Sequence, residues 1–256
     1  MGLLFQKDDN QRGERQMITN QLNKNRIILL WLAIAFFLLV NSPTVVANQT
    51  DASAGFQLSD DSTEPVDPEK PEKPIKPVHP PTKGPLSLNY VSDIQFGTHK
   101  RSNSTQVFYA QLDKIEYLDA SETQKRANFV ELTDNRGSNA GWNLTVKQNG
   151  QLQNQAGEQL EGAIISFKQI TPRSLDGVGK RPTAIPTEPV SLSPNGITNS
   201  LILTAQKGTG MGSWSISFGK DEKEGIESIL VTIPEKTPKK DGAYSTTLTW
   251  TLGDSL

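Results

Sequence analysis

The chain has 256 residues, with 26 Lys and Arg against 28 Asp and Glu, a formal net charge of −2, and no cysteine. The absence of cysteine excludes disulfide bonds and thiolate metal sites, so the fold must be stabilised by its core. The balanced charge, with no stripe of Lys or Arg, argues against duplex nucleic acid as a partner.

Residues 1–47 have the features of a secretory signal peptide. Lys24 and Arg26 precede an apolar run over residues 27–40, and a small-residue exit of the A-x-A type follows. This arrangement predicts cleavage at the end of the leader, with Met17 as an alternative start of the chain. A retained membrane anchor is the other interpretation of the apolar run. With cleavage, membrane contact is limited to the leader before its removal.

Residues 48–85 are rich in proline. They contain eight of the sixteen prolines, six of them at every third position from Pro65 to Pro80. Three residues per turn is the period of a polyproline II helix. Because apolar residues are few, this segment is predicted to be a disordered linker that serves as a spacer. A ligand for a proline-binding partner is the alternative.

Residues 86–256 contain short alternating segments separated by turns rich in Gly and Pro. No stretch shows a helical apolar period over three turns. The pattern predicts a single all-β domain, an antiparallel β-sandwich of Greek-key-like type, with a long surface loop over residues 171–194. Strands are predicted at residues 107–112, 129–132, 141–146, 163–170, 199–205, 214–218, 229–233 and 244–252.

Two of the predicted strands carry the sequence Trp-x-Leu, at Trp142 and Leu144 and at Trp250 and Leu252. Residues i and i+2 of a strand point to the same side, so Trp and Leu of each motif share a face. One interpretation places them in the core, where a Trp can bury on the order of 200 Å². The other leaves an indole partly exposed, to stack on a sugar ring.

The two Trp-x-Leu motifs, in this order and with their flanking segments, resemble the WxL domain of Gram-positive cell-surface proteins. The resemblance covers about residues 86–256, and its flanks are residues 89–97, 132–137 and 212–219. It implies a secreted, non-enzymatic protein of the Gram-positive cell surface that attaches non-covalently to the peptidoglycan of the cell wall. Both motifs are needed in that family. The cell-wall-binding motif is therefore predicted to consist of Trp142, Leu144, Trp250 and Leu252.

An alternative function is a structural subunit or adhesin of a multi-protein surface complex, which binds other surface proteins or host matrix proteins. A wall-glycan hydrolase is a third hypothesis, and it predicts clearing of a wall suspension. Residues 86–256 contain 17 Lys and Arg and 18 Asp and Glu. Attraction to anionic polymers should therefore be weak, and a neutral glycan or its peptide stems fits better.

Catalytic and metal-binding patterns are weak in this chain. Its two histidines, His79 and His99, cannot form a zinc-binding cluster. Ser217 and Lys220 match Ser-x-x-Lys, but they lie at the end of a predicted strand with a glycine between them, instead of at the start of a helix. We therefore predict no enzyme activity and no cofactor.

Oxygen ligands for Ca²⁺ could come from Asp134, Asn135 and Asn139, which lie close together in a predicted turn. An Asx turn explains the same residues more simply, because Asp and Asn side chains accept hydrogen bonds from the backbone two residues on. No metal site is predicted here.

Overall fold

The computed structural model describes residue 17 and residues 19–27, 63–119 and 122–254. The chain divides into two units, residues 1–55 and 56–256. In the first unit the described residues are helical and exposed, and the rest of the predicted leader lies outside the described residues. Within the described ranges, no helix is long and apolar enough to cross a membrane.

The described residues of the second unit form short strands, their connections and one helical turn, Glu222–Gly225. The all-β prediction is therefore confirmed. The strands, in chain order, are β1 (Val66–Asp67), β2 (Lys70–Pro74), β3 (Leu86–Val91), β4 (Gln106–Tyr109), β5 (Asp113–Glu116), β6 (Thr123–Arg126), β7 (Phe129–Asp134), β8 (Trp142–Gln148), β9 (Ile164–Phe167), β10 (Ile170–Ser174), β11 (Val190–Ser191), β12 (Ser200–Ala205), β13 (Gly212–Phe218), β14 (Ile229–Ile233) and β15 (Leu248–Asp254).

Three antiparallel sheets contribute to one core. Their strand orders are β10-β13-β7-β3, β11-β9-β14-β4 and β12-β8-β15, and β1-β2 and β5-β6 form two smaller sheets. The largest buried side chains of the core are Trp142, Trp214, Phe167 and Phe218. Burial of such aromatic and aliphatic side chains, each worth about 1.5–3 kcal/mol, stabilises the fold in place of disulfides.

Most of the predicted strands are present, but several boundaries differ. The segment predicted as one strand over residues 163–170 divides near Gln169, whose φ of 55° is incompatible with a continuous strand. The prediction of a loop over residues 171–194 is wrong at both ends. β10 pairs there with β13, and β11 pairs with β9.

The prediction of a disordered linker is wrong over its C-terminal part. Residues 63–85 contain the β1-β2 hairpin, and the linker residues 48–62 lie outside the described residues. Within the hairpin and just after it, Asp67 and Ile75 are fully buried. The folded region therefore starts well before residue 86, the boundary predicted from composition.

An ion pair joins the hairpin to β6. Arg126 donates from Nε and Nη2 to the two carboxylate oxygens of Asp67, both at 2.7 Å, and the Tyr117 hydroxyl donates to the same carboxylate at 2.6 Å. Burial opposes ionisation of Asp67, but these hydrogen bonds outweigh it and lower its pKa overall. Beside this pair lies a second small core, formed by Ile75, Tyr90, Ile115, Tyr117 and Phe129.

Replacement of Arg126 by Ala should destabilise the domain by about 3–5 kcal/mol, because the buried Asp67 carboxylate then has no cationic partner. Urea unfolding at neutral pH measures the change. Lys125→Ala is the matched control, since Lys125 is exposed on the same strand. If Arg126→Ala lowered the free energy of unfolding no more than Lys125→Ala does, this account of the hairpin would be wrong.

A buried carboxyl group also contacts the hairpin. Glu131 on β7 is 1% exposed, and its Oε2 accepts a hydrogen bond of 2.9 Å from the Val66 N–H. Its other oxygen lies 3.4 Å from the amide nitrogen of Asn89. Burial raises the pKa of Glu131 from 4.5 to about 7, because the charged form loses its hydration.

Glu131 should make the stability of the domain pH-dependent. Its folded-state pKa lies above its unfolded-state value, so its contribution is complete below pH 4.5 and is lost as the pH rises to about 7. The loss amounts to about 3 kcal/mol. Unfolding free energies of the wild type and of Glu131→Gln, measured from pH 4 to pH 8, should diverge in this window. Parallel curves for the two proteins would refute the assignment.

Candidate functional site

The two Trp-x-Leu motifs lie on neighbouring strands. β15 pairs antiparallel with β8, with Trp250 opposite Val146, Leu252 opposite Leu144 and Asp254 opposite Trp142. Segments separated by about a hundred residues are thus joined over the whole length of β15. We take this strand pair as the candidate functional site.

Trp142 and Leu144 belong to the core. Both are 0% exposed, and the indole N–H of Trp142 donates to the carbonyl oxygen of Gly210 at 2.8 Å. Gly210 has a φ of 78°, and a Cβ atom added there would lie 2.6 Å from the indole nitrogen. The close approach requires glycine. In this structure the first motif is inaccessible to a ligand, and the core interpretation applies to it.

Trp250 and Leu252 are only partly buried, in contrast to the first motif. The Trp250 ring packs edge-on against Phe167, with centroids 5.8 Å apart, and lies 6.1 Å from Phe218. Such aromatic contacts contribute about 0.5–1.5 kcal/mol to stability, in addition to the contribution of the buried area. Trp250 therefore contributes to the core, but part of its ring also faces a cleft.

The cleft has a volume of about 870 Å³ and lies between β3, β4 and β15. Its apolar walls include Phe108 on β4, Leu248 and Trp250 on β15, and Val231 and Ile233 on β14. The cations that line it are Lys100, Arg101, Lys239 and Lys240, whereas Asp93 is its one carboxylate within the described residues.

The outward side chains of β8 and β15 form a polar surface, which we call the threonine face. It consists of Thr145, Lys147, Thr247, Thr249 and Thr251. Thr247, Thr249 and Thr251 are exposed. Thr251 lies opposite Thr145, and Thr249 lies opposite Lys147. Asn149 donates from its amide nitrogen to the hydroxyls of Thr247 and Thr249, at 3.0 and 2.9 Å. The site predicted from the sequence, Trp142, Leu144, Trp250 and Leu252, does not include these threonines.

Arg136 links the start of β8 to the end of β15. Its guanidinium donates to both carboxylate oxygens of Asp134 at 2.8 Å, to the carbonyl of Gly141, and to Asp254 at the end of β15. The bonds to Asp134 raise the pKa of Arg136. Asp134 also accepts from the Arg136 backbone N–H at 3.2 Å, as in the predicted Asx turn. Among the described residues, no group of three or more His, Asp and Glu could hold a metal ion.

The other residues considered for chemistry take separate partners. The Ser217 hydroxyl pairs with Ser215 at 3.0 Å, and Lys220 pairs with Glu224. His99 stacks on Phe108 with ring centroids 3.8 Å apart. His79 lies 2.8 Å from an oxygen of Asp93.

The sequence over residues 44–255 matches the model of the family described as WxL domain surface cell wall-binding. The chain belongs to this WxL family. Membership makes it a surface protein that binds the cell wall, and the WxL domain is a non-catalytic kind of domain. The match starts ahead of residue 86, in agreement with the folded hairpin. No curated protein and no solved structure matches the chain.

The two motif tryptophans should differ in their effect on stability. Trp142→Ala should lower the free energy of unfolding by about 3–5 kcal/mol, since it leaves a cavity and an unpaired Gly210 carbonyl. Trp250→Ala should cost about half as much, because its ring is partly exposed already. Chemical denaturation of the two variants, with Thr251→Ala as an exposed control, measures the difference. Equal losses for Trp142→Ala and Trp250→Ala would contradict the burial described here.

Proposed function

We propose that the WxL domain attaches the protein non-covalently to peptidoglycan, and that the β8-β15 pair presents the binding surface. The observation that supports this most is the in-register pairing of the two motif strands. It aligns hydroxyl-bearing side chains of both strands on one exposed face. In this proposal Trp142 and Leu144 act by holding β8 in the core, and Trp250 and Leu252 act by holding β15 against it.

The chemistry of the threonine face suits a neutral glycan. Hydroxyl groups both donate and accept hydrogen bonds, so Thr249 and Thr251 can pair with sugar hydroxyls in either direction. Lys147 is the one charged member of the face. Short β-branched side chains lose little conformational entropy on binding, which favours a surface that contacts an extended polymer.

The location follows from the same proposal. The leader over residues 1–47 would direct export, and the domain would then hold the protein on the wall of a Gram-positive cell. The proposed role is adhesion to the wall and not catalysis. A second candidate, a structural subunit or adhesin that binds other proteins, is favoured by the cleft beside Trp250.

Sedimentation with purified peptidoglycan tests the proposal. The wild-type chain should pellet with the wall material, and the Thr249→Glu, Thr251→Glu double variant should stay in the supernatant, because two carboxylates occupy the binding face. Thr123→Glu is the matched control, since Thr123 is an exposed strand threonine on β6. It should pellet like the wild type.

Circular dichroism and urea unfolding of the same samples establish that the double variant is folded. A folded double variant that pellets as fully as the wild type would exclude the threonine face as the binding surface. Failure of the folded wild type to pellet would exclude peptidoglycan itself.

A further inference from the structure

Most edge strands of the three larger sheets are protected from pairing with another chain. β10 carries Pro172 and Arg173, β11 has only two residues, and β12 has a register shift and a bridge to Ala184. β3 has a register shift and exchanges hydrogen bonds with Thr82. Prolines, charges, bulges and short length are the usual means of blocking an edge.

β4, which has four residues, and β15, which is charged only at its last residue, have fewer of these protections. Neither register contains a shift, and residues 106–109 and 248–253 include no proline and no charged side chain. Unprotected apolar edges are normally avoided because they pair with other chains. Leu248 and Trp250 on β15 and Gln106 and Phe108 on β4 line the same cleft.

The register identifies which backbone groups of β15 are unpaired. Asn149 N–H donates to the Thr247 carbonyl, so the bonded positions continue at Thr249 and Thr251. The N–H and C=O groups of Leu248 and Trp250 therefore point away from β8, toward the cleft. On β4, the bond from Ala110 N–H to the Ile229 carbonyl likewise directs the backbone groups of Val107 and Tyr109 away from β14.

The shape and charge of the cleft favour one kind of occupant. An extended polypeptide can bond to the backbone of Leu248 and Trp250 and place alternate side chains between Phe108 and Trp250. Arg101 pairs with Asp241, and Lys240 pairs with Glu158. Lys100 and Lys239 are therefore the cations of the cleft that favour acidic residues at the ends of such a segment. A second copy of the chain would bring the same cations, and like charges would oppose its docking.

We propose that the cleft binds an extended, acidic-flanked segment of another protein, which adds as a strand to the free edge of β15. The bound segment lies between β15 and β4, with its apolar side chains against Phe108, Leu248 and Trp250. This surface is separate from the threonine face, which lies on the opposite side of β15. The protein can thus engage the wall and a protein partner at the same time.

Amide hydrogen exchange of the protein, as released by a Gram-positive expression host, tests strand addition. The probe is a synthetic peptide of alternating Val and Thr between paired Glu residues. It should slow exchange of the Leu248 and Trp250 N–H groups by about tenfold or more at saturation, and leave Thr249 and Thr251 unchanged. The same peptide with alternate amides N-methylated is the control, because it cannot complete the ladder.

Three results would overturn the proposal: no slowing at Leu248 and Trp250, equal slowing by the N-methylated peptide, or slowing produced by raising the protein concentration alone. The last would indicate pairing between two copies. Slowing by soluble muropeptides instead of the Glu-flanked peptide would assign the cleft to the wall and would also overturn it. Sedimentation on peptidoglycan tests wall binding separately from exchange with the Glu-flanked peptide.

Charge reversal tests the specificity of the cleft. Lys100 is exposed at its rim, and Lys100→Glu should weaken binding of the Glu-flanked peptide by about twofold to fivefold. A Lys-flanked peptide should gain affinity for the variant. Lys147→Glu, on the threonine face, is the control and should change neither affinity. Equal effects of Lys100→Glu and Lys147→Glu would refute the proposed placement.

Discussion

The structure depends on the pairing of β15 with β8. This contact joins segments separated by about a hundred residues, so it closes a long loop and must offset the entropy of that closure. Trp142 contributes through complete burial and a hydrogen bond to Gly210. Arg136 contributes at the same end of the pair, where it bonds to Asp134, Gly141 and Asp254. In a chain without cysteine, these contacts supply the closure that a disulfide supplies elsewhere.

One consequence is that β15 has three different surfaces. Its inward side chains pack on the core, its outward threonines face solvent, and one edge of its backbone has no partner strand in the described part of the chain. The WxL motif itself occupies mainly the first of these. A mutation of either Trp can therefore abolish binding through loss of the strand pair, without any indole touching a ligand.

Much of the sheet structure was predictable from local sequence. Alternating Trp, Leu and Thr identified β8 and β15, because period-two patterns depend only on neighbouring residues. The β1-β2 hairpin could not be found in this way. Its stability depends on Arg126, 59 residues from Asp67, and a sequence of Pro, Glu and Lys gives no local sign of that partner. The free edges of β4 and β15 could not be predicted either, because local sequence does not show which strands lie side by side in a sheet.

The Asp67–Arg126 pair also determines how the domain responds to mechanical tension. A pull on the chain ahead of β1 is transmitted first to the hairpin, where the bonds to Arg126 and Glu131 resist it. Loss of these bonds would detach residues 63–85, whereas the β8-β15 pair does not depend on them. A domain built in this way would yield first at its N-terminal hairpin and keep the β8-β15 pair intact.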